Sequence, residues 1–548
     1  MAGPHSPDVA LIGPQARIGI IAGGGSLPLE IARSVQSRGG VVHVVMIEGQ
    51  ALGALRSFPH TDASWSEVGK AVKALKRAGT TDVVLVGKMT RPSLKTARPD
   101  FGFLRSLPSV IRIFKSGGDD AVLRAVISMF EGRGLKIRSA ADVAPELLVN
   151  DGSLTQHQPS GADEIDIAKG LALIAALGRH DIGQATIISN GVIEAIEAAE
   201  GTDRMVARVA TQRRDGKGAP VIHNRGVLVK RPKPGQDLRV DLPAIGPETV
   251  QQVADARLSG IAAMSGYVLA ANRLELIRAA EREDVFVTGI PVDMIPMSAQ
   301  SANAPFNAPM IFGGINPPST AHADIHRAVG IMSTLAQFAT GSAMVIRKGR
   351  VVSIGASEPP LDVIERGSGF FKVSRTRAGI AIIGPREALD EAIVDAAAVA
   401  GLAGVIVMFG REDRPQHRGA VVAKADALGL FLAGAVTTDV RRHDRAAVCE
   451  RGFNTTAQNS ADCWRTFRRC SWRQTHGGFT SGAARPRDVF GRWWRRDEPR
   501  RLGVAVPDGR RGGDGAARDF ASVAAHCSPR LSDGRCCAGR KARRGCDY

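Results

Sequence analysis

Asp241 is the carboxylate around which a reaction could be arranged. It lies in RVDLPAIGP (239–247), between the cations Lys230, Arg231, Lys233 and Arg239 and a turn containing Pro243, Gly246 and Pro247. Proline and glycine fix a turn, so the carboxylate sits on a defined loop edge. A lone acid shortly after four cations suits a site where a phosphate is held while a metal-bound carboxylate acts. An αβ turn with a solvated basic rim has the same composition, and the motif alone does not separate the two.

Other residues could serve the same chemistry. Gly23, Gly24 and Gly25 stand between the apolar run Ile18–Ala22 and a helical spacing over Leu27–Arg38. A glycine loop there lets backbone N–H groups approach a phosphate at a helix N-terminus. The spacing is not GxGxxG, so the signal is weak alone. Lys88 and Arg91 lie in GKMTRP, directly after the strand Val83–Val86. Ligands on parallel sheets bind at the carboxyl ends of strands, where both glycine-containing segments fall. Asp119 and Asp120 open a helix, either as capping and dipole charge or with one of them facing the ligand cleft.

These residues need a scaffold. The 548 residues allow about three or four domains at ~150 residues each. Strands alternate with helices from Ile18 onward, which indicates a parallel sheet. A second α/β region begins near Asn150, with a helix over Ile165–Leu177 and a hairpin signalled by Asn190-Gly191. Residues 292–323 hold Pro, Asn, Ser and Gly without a period and read as a linker. Met1–Ala16 reads as a loose tail.

Beyond the linker the second region recurs in weakened form. Asp324–Leu335 mirrors Asp166–Leu177, and Ser342–Glu358 aligns without gaps on Gln184–Glu200. A shared Ile-Gly-Pro aligns the segment around 383–385 on 245–247 and sets Gly379 opposite Asp241 and Ala381 opposite Pro243, with the lysines reduced to Lys372. Residues 324–440 are therefore expected to keep the fold and lose the chemistry.

The net charge of +18 invites a nucleic-acid reading, but its distribution argues against one. From Arg442 onward 22 Arg and one Lys face 11 Asp and Glu, a surplus of +12 that leaves +6 for the first 441 residues. All seven cysteines also lie there, so the body has no disulfide framework or thiolate metal site. Without a signal peptide or an apolar run near ~18 residues, the body is expected to be cytoplasmic. The tail, 441–548, has no hydrophobic period and is expected to be disordered. A cysteine-based module, an Arg/Trp nucleic-acid arm and a frame-shifted translation are three readings of it.

Seven blocks in order carry a family resemblance: IAGGGSLP, GKMTRP, KSGGDDAVLRAV, DIGQ, EAIEAAEGTDRM, VKRPKPGQDLRVDLPAIG and SGIA. Over residues 17–291 the chain resembles LpxI-type UDP-2,3-diacylglucosamine pyrophosphatases. The resemblance implies a Rossmann-like N-terminal domain (17–150) and a C-terminal catalytic α/β domain (151–291), with the lipid-linked UDP-sugar between them. It implies magnesium-dependent hydrolysis to UMP and 2,3-diacylglucosamine 1-phosphate in lipid A biosynthesis, peripheral to the inner membrane, with a homodimer possible. The family's critical aspartate falls on Asp241, with Glu200 and Asp203 as further metal carboxylates or helix caps. Lys230, Lys233 and Arg239 would then neutralise diphosphate charge. A non-catalytic binder of UDP-sugar lipids or nucleotides is the alternative. The tail, read one nucleotide out of frame, permits strings such as LIAGEPSGD that resemble lipid A disaccharide synthase.

Overall fold

The computed structural model describes residues 13–89, 119–216, 225–292, 309–371, 376–410 and 419–436. Arg91 and the tail 441–548 lie outside the described residues, as does Lys372.

The N-terminal lobe contains β1 (Arg17–Ala22), α1 (Leu27–Ser37), β2 (Val41–Ile47), β3 (His60–Ala63), α2 (Val68–Arg77), β4 (Asp82–Val86), α3 (Asp119–Glu131) and β5 (Lys136–Arg138). Its sheet runs β3-β2-β1-β4-β5, with every pair parallel. Helices cover both faces, so alternate residues enter different cores. Ile18, Ile20, Val44 and Val84 pack on one side, and Ile21, Val45 and Val83 on the other. The strand order reverses between β1 and β4, which opens a crevice at their carboxyl ends.

The middle lobe contains β6 (Gly152–Ser153), α4 (Gly161–Gly178), β7 (Ala185–Ser189), β8 (Val192–Ile196), α5 (Thr202–Arg214), β9 (Val227–Lys230), β10 (Ala244–Ile245), α6 (Pro247–Asp255), β11 (Gly260–Met264), β12 (Leu269–Ala270), α7 (Arg273–Arg282) and β13 (Phe286–Ile290). Its main sheet runs β6-β13-β11-β9-β7-β8. The central strands are parallel, while β6 and the β7–β8 hairpin are antiparallel. The hairpin turns at Asn190 and Gly191, both with positive φ, as a type I′ turn requires. The buried Asp166 on α4 accepts both turn N–H groups, at 2.8 and 2.6 Å.

The third lobe contains β14 (Met310–Ile311), α8 (His322–Ala336), β15 (Ala343–Arg347), β16 (Arg350–Ile354), α9 (Pro360–Ser368), β17 (Ile380–Ile383), α10 (Glu391–Val399), β18 (Gly404–Phe409), α11 (Gly419–Ala427) and β19 (Phe431–Val436). The order β14-β19-β18-β17-β15-β16 repeats that of the middle lobe, with the same pairing senses. Asp324 holds the turn Lys348-Gly349 as Asp166 holds Asn190-Gly191. The stretch read as linker thus includes an edge strand, β14, in the position of β6. Two residues are too short to leave a period in the sequence.

The strand register corrects the Ile-Gly-Pro alignment. Gly260 pairs with Val227 and Gly404 with Ile380, and both glycines lie under a phenylalanine ring, Phe286 and Phe431. Lys230 therefore corresponds to Ile383, at the end of β17, rather than to a residue before it. Seventeen positions separate Lys230 from α6, but eight separate Ile383 from α10. The third lobe has no counterpart of the loop that carries Asp241.

Candidate functional site

The loop from Arg231 to Pro243 runs from the end of β9 to β10 and is pressed against the N-terminal lobe. Val240 packs on the core containing Ile21 and Val83, and Leu242 and Ala244 pack on the core containing Ile18 and Ile20. β10 pairs with β12, whose Leu269 bridges to Leu148 and enters the N-terminal core. Arg239 ion-pairs with Glu131 of α3 at 2.9 Å. Apolar contacts before and after Asp241 thus fix it at the junction of the two lobes.

Within the loop Gln236 is the holding residue. It is buried, and its Nε2 donates to Asp241 Oδ2 at 2.5 Å and to the Asp241 carbonyl at 2.8 Å. Its Oε1 accepts the Lys233 N–H at 2.9 Å, so one side chain closes the loop at both ends.

Lys230 stands behind this loop, fully buried, donating to the Ala244 carbonyl at 2.9 Å. Burial pushes its pKa down, opposed by Glu197, Asp203 and Asp241, while Lys88 adds to the lowering. Glu197 is buried as well and is pushed up by desolvation, with Lys230 opposing. It accepts the Gln184 N–H at 2.9 Å and the Thr202 hydroxyl at 3.2 Å. Lys88, after β4, reaches across the lobes to Asp203 in the first turn of α5 at 3.0 Å. That hydrogen bond raises the Lys88 pKa. Lys88, Glu197, Asp203, Lys230 and Asp241 therefore form one electrostatic cluster beside the crevice.

The glycines act by close approach. Gly23 N–H donates to the Val86 carbonyl at 2.9 Å, and Gly24 and Lys88 exchange backbone hydrogen bonds at 2.8 Å. A Cβ at Gly23 would meet the Lys88 carbonyl at 2.8 Å. These two N–H groups are consumed in joining the β1 and β4 loops, which carries Lys88 to its place. The phosphate-cradle expectation does not fit them. Gly25, at φ +90°, supplies the turn into α1.

The remaining expected residues are scattered. The Glu200 side chain is 3% exposed, with its two carboxylate oxygens on Arg208 and Arg366, an arrangement that leaves a metal ion little to bind. Lys233 pairs with Asp181, and Arg239 with Asp237 and Glu131, so neither reads as a cation waiting for phosphate. Asp119 and Asp120 begin α3. Among the described residues no three His, Cys, Asp or Glu gather as a metal-holding group. The oxygens of Asp241 and Asp203 are the hard donors that magnesium takes, and a site completed by substrate phosphate needs only one or two carboxylates.

Residue type and spacing do not single out Gln236 or Glu197. The gapless alignment does carry a signal for Glu197, which stands opposite Gly355, and the same offset carried three residues further sets Asp203 opposite Leu361. Together with Lys230 opposite Ile383, the third lobe has lost three charged members of the cluster.

Comparison with known proteins points the same way. A family model described as the LpxI N-terminal domain matches residues 17–147, and one described as the LpxI C-terminal domain matches 150–288. The chain is 38% identical over 274 residues to a Caulobacter vibrioides protein named UDP-2,3-diacylglucosamine pyrophosphatase LpxI. The alignment covers 97% of that protein and 50% of this chain.

Proposed function

The chain belongs to the LpxI family, and we propose that its first two lobes hydrolyse the pyrophosphate of UDP-2,3-diacylglucosamine. Water attacks one phosphorus, the bridging P–O bond breaks, and UMP and 2,3-diacylglucosamine 1-phosphate leave. The acyl chains bring the reaction to a membrane surface, which the protein meets peripherally from the cytoplasm. No described helix is long and apolar enough to cross a membrane.

The observation that carries this reading is the Asp241 loop, clamped by Gln236 at the junction of two lobes and facing a cluster with Lys88 and Lys230. Asp241 would orient or deprotonate the attacking water, or contribute an oxygen to magnesium. Asp203 would be the second carboxylate, released from Lys88 when phosphate takes that lysine. Magnesium, when bound, would offset diphosphate charge and polarise the phosphoryl oxygens. Lys230 would add a fixed positive charge that water cannot screen.

The test is UMP release from UDP-2,3-diacylglucosamine with and without magnesium, for the intact chain and for Asp241→Ala. The substitution should lower turnover by about 10²–10⁴-fold, the range for an acid–base group, while substrate binding persists. Unchanged turnover would remove Asp241 from the mechanism. Binding without UMP release in the unsubstituted chain would make the protein a binder.

A further inference from the structure

Glu200 and Arg208 in the middle lobe correspond to Glu358 and Arg366 in the third, at a constant offset of 158 positions fixed by the Asp166 and Asp324 turns. The four form one closed network. Arg208 Nη2 donates to Glu200 Oε1 in its own lobe at 2.6 Å, and Nη1 to Glu358 Oε2 in the other at 2.9 Å. Arg366 repeats this atom for atom: Nη2 to Glu358 Oε1 in its own lobe, and Nη1 to Glu200 Oε2 in the other at 3.3 Å. All four side chains are largely buried.

The apolar residues at the contact correspond across the two lobes in the same way. One hydrophobic cluster spans the two lobes, and both contribute corresponding residues to it. Leu173 answers Ile331, Leu177 answers Leu335, Ile188 answers Ile346, and Ile193 answers Val351. In the ion network Arg208 meets Glu358 while Arg366 meets Glu200, which is the signature of a two-fold, isologous contact.

We infer that the third lobe occupies the place of a second copy of the middle lobe, so that the chain is an internal pseudo-dimer and a monomer in solution, with its site cluster in one half. The middle-lobe face is self-complementary, because Glu200 and Arg208 can pair with Arg208 and Glu200 of another chain as they pair with Arg366 and Glu358. The third lobe covers that face and blocks self-association. This inference is independent of the reaction proposed above.

Charge reversal tests it. In full-length E358R/R366E the third lobe sets like charges against Glu200 and Arg208, while the middle-lobe face stays complementary to itself. Sedimentation equilibrium should give 57.8 kDa for the unsubstituted chain and a discrete species of twice that mass for E358R/R366E. Exchanging all four signs, E200R/R208E/E358R/R366E, should restore the monomer. A dimeric unsubstituted chain overturns the inference, as does a monomeric or polydisperse E358R/R366E that still melts cooperatively. If the reversals abolish cooperative melting, E358Q/R366Q removes the cross-lobe charges without adding repulsion. Two differently tagged populations of that variant should then co-purify, and failure to do so overturns the inference.

Discussion

Gln236 grips Asp241 at two points, through the carboxylate Oδ2 at 2.5 Å and the main-chain carbonyl at 2.8 Å. The first contact sets the direction of the carboxylate and the second sets the loop beneath it. A partner that orients a metal-binding or reacting group typically matters by about 10–100-fold. Gln236→Ala should therefore lower kcat by that factor and raise the magnesium concentration needed for half-maximal rate. A drop in melting temperature with kcat intact would reduce Gln236 to a loop brace.

The third lobe shows which buried residues the fold can do without. It carries Ile383 where the middle lobe has Lys230, and Gly355 where it has Glu197. Lys230→Met combined with Glu197→Gln removes both charges at nearly constant volume, and the Gln amide oxygen can still accept from the Gln184 N–H while its N–H donates to the Thr202 hydroxyl. Replacing buried charges by apolar groups is often neutral or stabilising, so the double variant should keep its unfolding midpoint. Its UMP release should fall by about 10²–10³-fold, as for loss of a preorganised charge. Each single variant leaves one buried charge without its opposite and should be less stable than the double. Equal stabilities across the three would show that Lys230 and Glu197 do not interact.

His180 offers a pH test of the lobe contact. Its Nε2 lies 3.1 Å from Thr334 Oγ1 in the third lobe, and Arg327 donates to its carbonyl at 2.6 Å. Burial, with Arg179 and Arg327 nearby, lowers its pKa from 6.5 to about 4. Between those values the unfolded chain binds a proton that folded His180 does not, so stability falls as pH drops through that window. Urea midpoints measured from pH 7 to 4.5 should decline more steeply for the unsubstituted chain than for His180→Gln. Parallel curves would place His180 in water.

Much of the fold is legible in the sequence. The parallel N-terminal sheet follows from short apolar strands alternating with helices, and the β7–β8 hairpin from Asn190-Gly191. Asp241 is a candidate on sequence because its turn residues and cations are neighbours there, and its role is the part that turnover measurements decide. The failures share a cause. Ile-Gly-Pro occurs at 245–247 and at 383–385, but one is a helix entry and the other a strand end, and only pairing with β11 and β18 tells them apart. Gln236 has no motif, since its role depends on a loop folding back five residues. By sequence alone Glu200 reads as a free carboxylate, because its partner Arg366 is 166 positions away. Spacing reveals chemistry made within one element, but not a carboxylate claimed by a distant lobe.

Arg208 is where stability should be most exposed to a single change. It joins Glu200 and Glu358 by a contact under 3 Å to each, at 2.6 and 2.9 Å, and those carboxylates are 3% and 2% exposed. Arg208→Ala leaves Arg366 as the one cation shared by two buried acids, with a reach of 3.3 Å to Glu200, while Glu358 keeps only the neutral Gln212 Nε2 at 2.9 Å besides. Breaking a buried ion pair by removing one partner costs about 3–5 kcal/mol, and chemical denaturation should show a loss of that size. Removing all four charges together, Arg208→Met, Arg366→Met, Glu200→Gln and Glu358→Gln, leaves no buried ion unpaired and should recover most of it. If Arg208→Ala costs no more than a surface pair, about 0–1 kcal/mol, water must reach the network, and the contact between the lobes would be a loose one rather than a sealed interface.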